Sequence, residues 1–134
     1  MTMNFYDMLL AQTLSGGGGD DAMLIDLIER NITTIKIPEG CKKIGANAFR
    51  QCSSLVSVDI PETVTELVSN CFASCTSLSE ITCRAIKPPS ASATSVFTGV
   101  PGDCAIYVPE ASVDAYKSAN IWSSRASYIQ AIPE

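Results

Sequence analysis

Apolar positions recur through the middle of this chain at a fixed interval, the one that separates Ile37 from Ile60. Ile37 to Asp59 reads IPEGCKKIGANAFRQCSSLVSVD, and Ile60 to Thr82 beneath it reads IPETVTELVSNCFASCTSLSEIT. Ile37-Pro38-Glu39 falls on Ile60-Pro61-Glu62, Ala48-Phe49 on Cys71-Phe72, Cys52 on Cys75, Ser54-Leu55 on Ser77-Leu78, and Val58 on Ile81. Matched positions are apolar or turn-forming, and unmatched ones are mostly polar. Repeat proteins show this pattern because each unit stacks the same inward residues on its neighbours. The frame extends both ways. Ile32, Ile35 and Ile37 stand one period before Leu55, Val58 and Ile60. Downstream, Cys83 takes the place of Ile60, Phe97 repeats Phe72 after a slightly longer step, and Ile106-Tyr107-Val108-Pro109 repeats the Ile-Pro strand end. Pro88-Pro89 and the Ser/Thr/Ala-rich stretch after it are expected to loosen this last unit.

Period-2 alternation in Thr34–Ile37, Val56–Ile60, Ser79–Cys83 and Ala105–Val108 predicts short strands. Proline has no amide donor, so the strands should stop at Pro38, Pro61 and Pro109. Asn47–Gln51 and Asn70–Ser74 read as a short helical or 3₁₀ turn that aims Phe49 and Phe72 inward. Strands joined by a full coil of chain must run parallel. The frame then puts Ile35, Ile37, Val58, Ile60, Ile81, Cys83, Ile106 and Val108 inside. It leaves Thr34, Lys36, Ser57, Asp59, Glu80, Thr82 and Tyr107 on one outward face, which is a candidate binding surface. Lys36 and Asp59 hold equivalent positions and are expected to pair across the ladder, for little gain in stability. Ser112–Ala119 reads as a helix with Val113 and Tyr116 on one side, and Trp122 and Ile129 as plugs of the last coil.

The ends differ from the middle. Phe5, Met8, Leu9 and Gln12 fall near helical spacing, with Asn4 placed to cap the start. A helix of that length is marginal alone in water. Gly16–Gly19 behind it read as a flexible linker. Residues 1–14 are therefore an amphipathic segment expected to pair with a second copy, to anchor the chain to a partner, or to dock on its own repeats. Phe5, Met8 and Leu9 are the candidate association residues. Residues 15–21 form the linker, 22–110 the repeat body, and 111–134 a C-terminal cap. Leu24, Ile25, Leu27 and Ile28 should cover the first coil, as helix or strand. The fold class is an α+β repeat solenoid of short parallel strands with short helical turns and a helical C-terminal cap.

Ile44-Gly45, Ala48-Phe49 and Cys52-Ser53-Ser54-Leu55, behind an Ile-Pro, resemble the BspA-type leucine-rich repeat family. The second copy departs, with Leu67-Val68 for Ile-Gly and Cys71-Phe72 for Ala-Phe. Ile106-Tyr107-Val108-Pro109, Tyr116-Lys117, Trp122 and Tyr128-Ile129-Gln130-Ala131-Ile132 are similar to the segment that ends such arrays. The resemblance spans about Ile32 to Ile132 and implies right-handed leucine-rich-repeat coils. For function it implies a non-enzymatic protein-interaction or structural module on a larger assembly or surface. The alternative it implies is an adhesin-like module that binds carbohydrate or host protein through the strand face. For location it implies the cell surface, the extracellular space or a phage particle. The N-terminal Asn4-Phe5-Tyr6-Asp7-Met8-Leu9-Leu10, with Leu14-Ser15 and four glycines after it, resembles N-termini of prophage-encoded members.

Composition narrows the chemistry. With 46% apolar residues a packed core is available, and the net charge of −5 argues against nucleic acid and anionic membranes. Asn4–Leu14 is too short for a membrane span and follows no basic stretch, so neither a span nor a signal peptide is expected. Cys41, Cys52, Cys71, Cys75 and Cys83 sit where the frame wants a small apolar side chain, and a thiol packs as one. A Cys52–Cys75 disulfide between stacked coils and a metal at Cys71-x₃-Cys75 are the other readings. Zinc would want four ligands, and the chain has no histidine. Without histidine neither Ser-His-Asp nor Cys-His catalysis is available in cis. Carboxylates remain at Asp20-Asp21, read as a helix cap, and at Glu62 and Glu66, read as lying on a polar crossing. No cofactor and no catalytic residue is expected.

Overall fold

A computed structural model describes residues 33–133, together with the backbone of Thr2 and Met3. Phe5, Met8, Leu9, the glycine linker and the apolar stretch 24–28 lie outside the described residues. The chain forms parallel strands with few short helices, a repeat-like α/β arrangement. In chain order these are β1 (Thr2–Met3), β2 (Thr34–Lys36), β3 (Lys43–Ile44), β4 (Ser57–Ile60), β5 (Glu66–Leu67), β6 (Glu80–Cys83), β7 (Ser90–Ala91), β8 (Ala105–Val108) and β9 (Ile129–Ala131). Among the described residues one α-helix, α1, spans Val113–Ser118, with 3₁₀ turns at Thr94–Phe97, Glu110–Ser112 and Trp122–Tyr128.

The expected strands pair in the expected register. β2, β4, β6, β8 and β9 make a five-stranded parallel sheet. Ile35 lies beside Val58, Val58 beside Ile81, and Ile81 beside Ile106. The first two steps equal the sequence period and the third is slightly longer. The extra chain between Cys83 and Ala105, which includes Pro88-Pro89, leaves the ladder intact. Ile60 and Val108 end their strands one residue before Pro61 and Pro109. Ile35, Val58, Ile60, Ile81, Cys83, Ile106 and Val108 are all buried.

A second parallel sheet, in the order β1, β3, β5, β7, runs through the stretches read from the sequence as polar crossings. Glu66 sits in its β5, not in a loop, and its carboxylate meets Lys43 Nζ at 3.4 Å. These strands are two residues long. A two-residue strand has too few positions to show alternation, so the sequence pattern does not reveal it.

Asn47–Gln51 and Asn70–Ser74 are not helical. Asn47, Gln51, Asn70 and Ser74 all take left-handed backbone, with φ between 61° and 63°. That conformation breaks the helix and splits the amides into two sets. Ala48, Arg50 and Cys52 donate back to Gly45, Asn47 and Phe49 inside the turn. Asn47, Phe49 and Gln51 donate forward to Ser69 O, Cys71 O and Ala73 O of the next unit, at 3.1, 2.8 and 2.8 Å. Neighbouring units are thus joined along three backbone lines, two sheets and this row of turns.

The core runs along the stack. Phe49 and Phe72 stack with centroids 5.4 Å apart and 11° between planes, and Phe72 and Phe97 at 6.3 Å and 5°. Trp122 ends the column edge-on against Phe97 at 5.3 Å, with Tyr116 edge-on against Trp122 at 5.0 Å. Leu55, Leu67 and Leu78 fill the space between the sheets and the turns. Each such side chain contributes about 1.5–3 kcal/mol by leaving water.

Candidate functional site

Strand pairing lines the outward residues up in rows. Lys36, Asp59, Thr82, Tyr107 and Gln130 occupy consecutive register positions across all five strands. Thr34, Ser57, Glu80 and Ala105 form a second row two residues away. Paired strands lie about 4.8 Å apart, so the first row spans roughly 19 Å. The burial pattern agrees with the alternation. Thr34, Lys36, Glu80 and Gln130 are exposed, Ser57, Asp59, Thr82 and Tyr107 half-buried, and the residues between them buried. All seven residues marked from the sequence therefore share one face. Gln130 joins them without having been marked. It arrives on β9 one full period after Tyr107, although the chain between them crosses α1. Two signals point to it, that spacing and the alternation of Ile129-Gln130-Ala131, which the sequence reading assigns to the terminal segment.

Asp59 takes a partner that the repeat frame does not supply. Its carboxylate accepts from Arg84 Nε and Arg84 Nη2, both at 2.9 Å. Arg84 follows β6 and lies diagonally across from Asp59. A planar guanidinium matches both carboxylate oxygens at once, which a lysine ammonium cannot do. The pair holds the Arg84 pKa above its usual value, through the hydrogen bond first. Both side chains are partly in water, so the pair orders the face more than it stabilises the fold.

The C-terminal stretch meets the last repeat unit through side-chain hydrogen bonds to backbone carbonyls. Trp122 Nε1 donates to Pro89 O at 2.8 Å, Tyr116 Oη to Ala85 O at 2.6 Å, and Ser112 Oγ to Ile86 O at 2.6 Å. Arg125 donates to Pro101 O, Phe97 O and Val100 O at 2.8, 3.2 and 3.0 Å. Trp122 thus serves the Pro89 carbonyl, whose equivalents on Lys42 and Thr65 accept from amides of the next coil. Trp122, Tyr116 and Ile129 are buried as the sequence reading requires.

All six cysteines are present as buried thiols, including Cys52 and Cys75. Cys75 Sγ donates to Phe49 O at 3.1 Å, one unit away. Burial pushes the Cys71 and Cys83 thiols above their usual range and raises Cys104 to about 11. A raised pKa keeps a thiol protonated, which is the inert state. Among the described residues no three of His, Cys, Asp or Glu come together as a metal ligand set, and no helix is long and apolar enough to cross a membrane.

A family model described as BspA type leucine rich repeat region (6 copies) matches residues 28–98, just over half of the chain. No curated protein matches the chain.

Proposed function

The chain belongs to the BspA-type leucine-rich repeat family, and from that premise we propose that it is a non-enzymatic protein-interaction module. Its units wind as a right-handed solenoid that residues 111–134 close as a cap. The hooking of Ala85, Ile86 and Pro89 carbonyls by Tyr116, Ser112 and Trp122 supports the cap. The observation that carries the binding reading is the row Lys36–Asp59–Thr82–Tyr107–Gln130. It is a straight polar strip on a paired sheet, fixed by ladder bonds and by the Arg84–Asp59 clamp. Such a strip costs little ordering when a partner binds, which is what preorganisation contributes to affinity. Tyr107 within it is an amphipathic side chain of the kind enriched at the centre of interfaces. In this reading residues 1–14 attach the module to a larger assembly or surface, or to a second copy.

Photo-crosslinking in the producing cell tests both parts. A photoreactive phenylalanine replaces Tyr107 in one chain and Glu66, on the second sheet, in another. A discrete cross-linked protein is expected from the Tyr107 position only, and it should disappear with Asp59→Ala. A chain lacking residues 1–15 should no longer co-sediment with the assembly. Equal cross-linking from both positions, or from Glu66 alone, would end the strand-face reading.

A further inference from the structure

Away from the strand face, the 94–99 turn faces the 120–125 stretch across a groove of about 530 Å³. That is within the size range of small-ligand sites, about 300–1,000 Å³. Left-handed backbone shapes both walls, at Gly99 (φ 85°) and Ile121 (φ 73°). The lining carries the hydroxyls of Thr94, Thr98, Ser123 and Ser124, the Asn120 carboxamide and the Arg125 guanidinium, with no carboxylate among the described residues. The ion pairs of the described residues include Lys43–Glu66 and Arg84–Asp59, neither of them here.

Arg125 is held in place while part of its donor capacity stays open. A guanidinium has five N–H donors. Three are committed to the carbonyls of Phe97, Val100 and Pro101, and two remain. The guanidinium also lies over the Phe97 ring, 5.5 Å from its centroid, so its position is fixed before any ligand arrives. Its half-buried charge is disfavoured by desolvation. A carboxylate in the groove would compensate that cost.

We infer that this groove binds a carboxylate-bearing saccharide, with Arg125 taking the carboxylate and the surrounding hydroxyls and Asn120 taking sugar hydroxyls. One cation suits one carboxylate. The hydroxyls and the carboxamide match a polyol better than they match an apolar ligand. Ile121 offers an apolar edge for the C–H face of the ring.

The test titrates the full chain with trigalacturonate, with neutral galactotriose and with a triglutamate peptide, by calorimetry and backbone amide shifts. Trigalacturonate should saturate, with shifts centred on residues 94–99 and 120–125. Galactotriose should bind at least about ten-fold more weakly, because the charge-assisted hydrogen bonds are gone. Filling the groove with Ser123→Phe should abolish binding, while Asp59→Ala on the strand face should leave it unchanged. Because Arg125 also holds backbone carbonyls, its replacement is not the deciding variant. No saturable trigalacturonate binding, undiminished binding by Ser123→Phe, equal binding of galactotriose, or tighter binding of triglutamate would each overturn the inference.

Discussion

Gly99 stands where a Cβ would lie 3.0 Å from Ser74 Cα and 3.1 Å from Ser74 N, at a φ of 85°. The equivalent positions Gln51 and Ser74 take the same left-handed backbone without glycine, so it is the close approach to Ser74 that favours glycine here. The buried thiols show the same dependence on surroundings. From the ordinary 9.0, burial raises Cys104 to about 11, and it also raises Cys71, Cys83 and the Tyr116 phenol. Above pH 9 the folded chain therefore holds protons that the unfolded chain releases. Stability from these groups is complete below that pH and declines as pH rises through the folded values. Urea midpoints taken between pH 8 and about pH 11 should be level at first and then fall. A level midpoint across that range would mean that the thiols are not buried as described. The sequence frame places Cys41, Cys71 and Cys83 because each sits opposite an apolar residue one period away, and Cys52 and Cys75 because they hold one shared inward position. It does not give Asp59 its partner. Arg84 follows the strand and reaches Asp59 diagonally, outside any equivalent-position rule.

Elements are legible in proportion to their length. The long strands β4, β6 and β8 show alternation and an apolar frame, and they stand within a residue of where the pattern puts them. The two-residue strands of the second sheet have no period to read, and only the stacking of units creates them. The segments Asn47–Gln51 and Asn70–Ser74 read as a short helical or 3₁₀ turn from the sequence, and they are turns closed by i→i−3 bonds without becoming helices. The residue types suit a tight turn either way, and the choice is made by amides that donate to the next unit. The groove is not legible at all. Its two walls, 94–99 and 120–125, are distant along the chain and share no motif. Trp122 joins both descriptions, because it ends the aromatic column and anchors the terminal stretch on Pro89. Trp122→Ala should cost about 3–5 kcal/mol, read from chemical denaturation. An unchanged midpoint would contradict its place at the end of the core.

At the scale of the molecule, the binding face depends on one geometric fact, namely which strand residues point outward. Side chains alternate along a strand, so a slip of one residue would carry Asp59, Thr82 and Tyr107 into the core and expose Val58, Ile81 and Ile106. The repeat period and its one lengthened step exclude that slip only if the strands run parallel and in the stated register. Interstrand nuclear Overhauser contacts in a uniformly labelled chain measure this directly. Parallel-ladder contacts are expected from Val58 to Ile81, from Ile81 to Ile106 and from Ile106 to Ile129. Contacts displaced by one residue, or an antiparallel pattern between any of these strands, would contradict the fold and the binding face together.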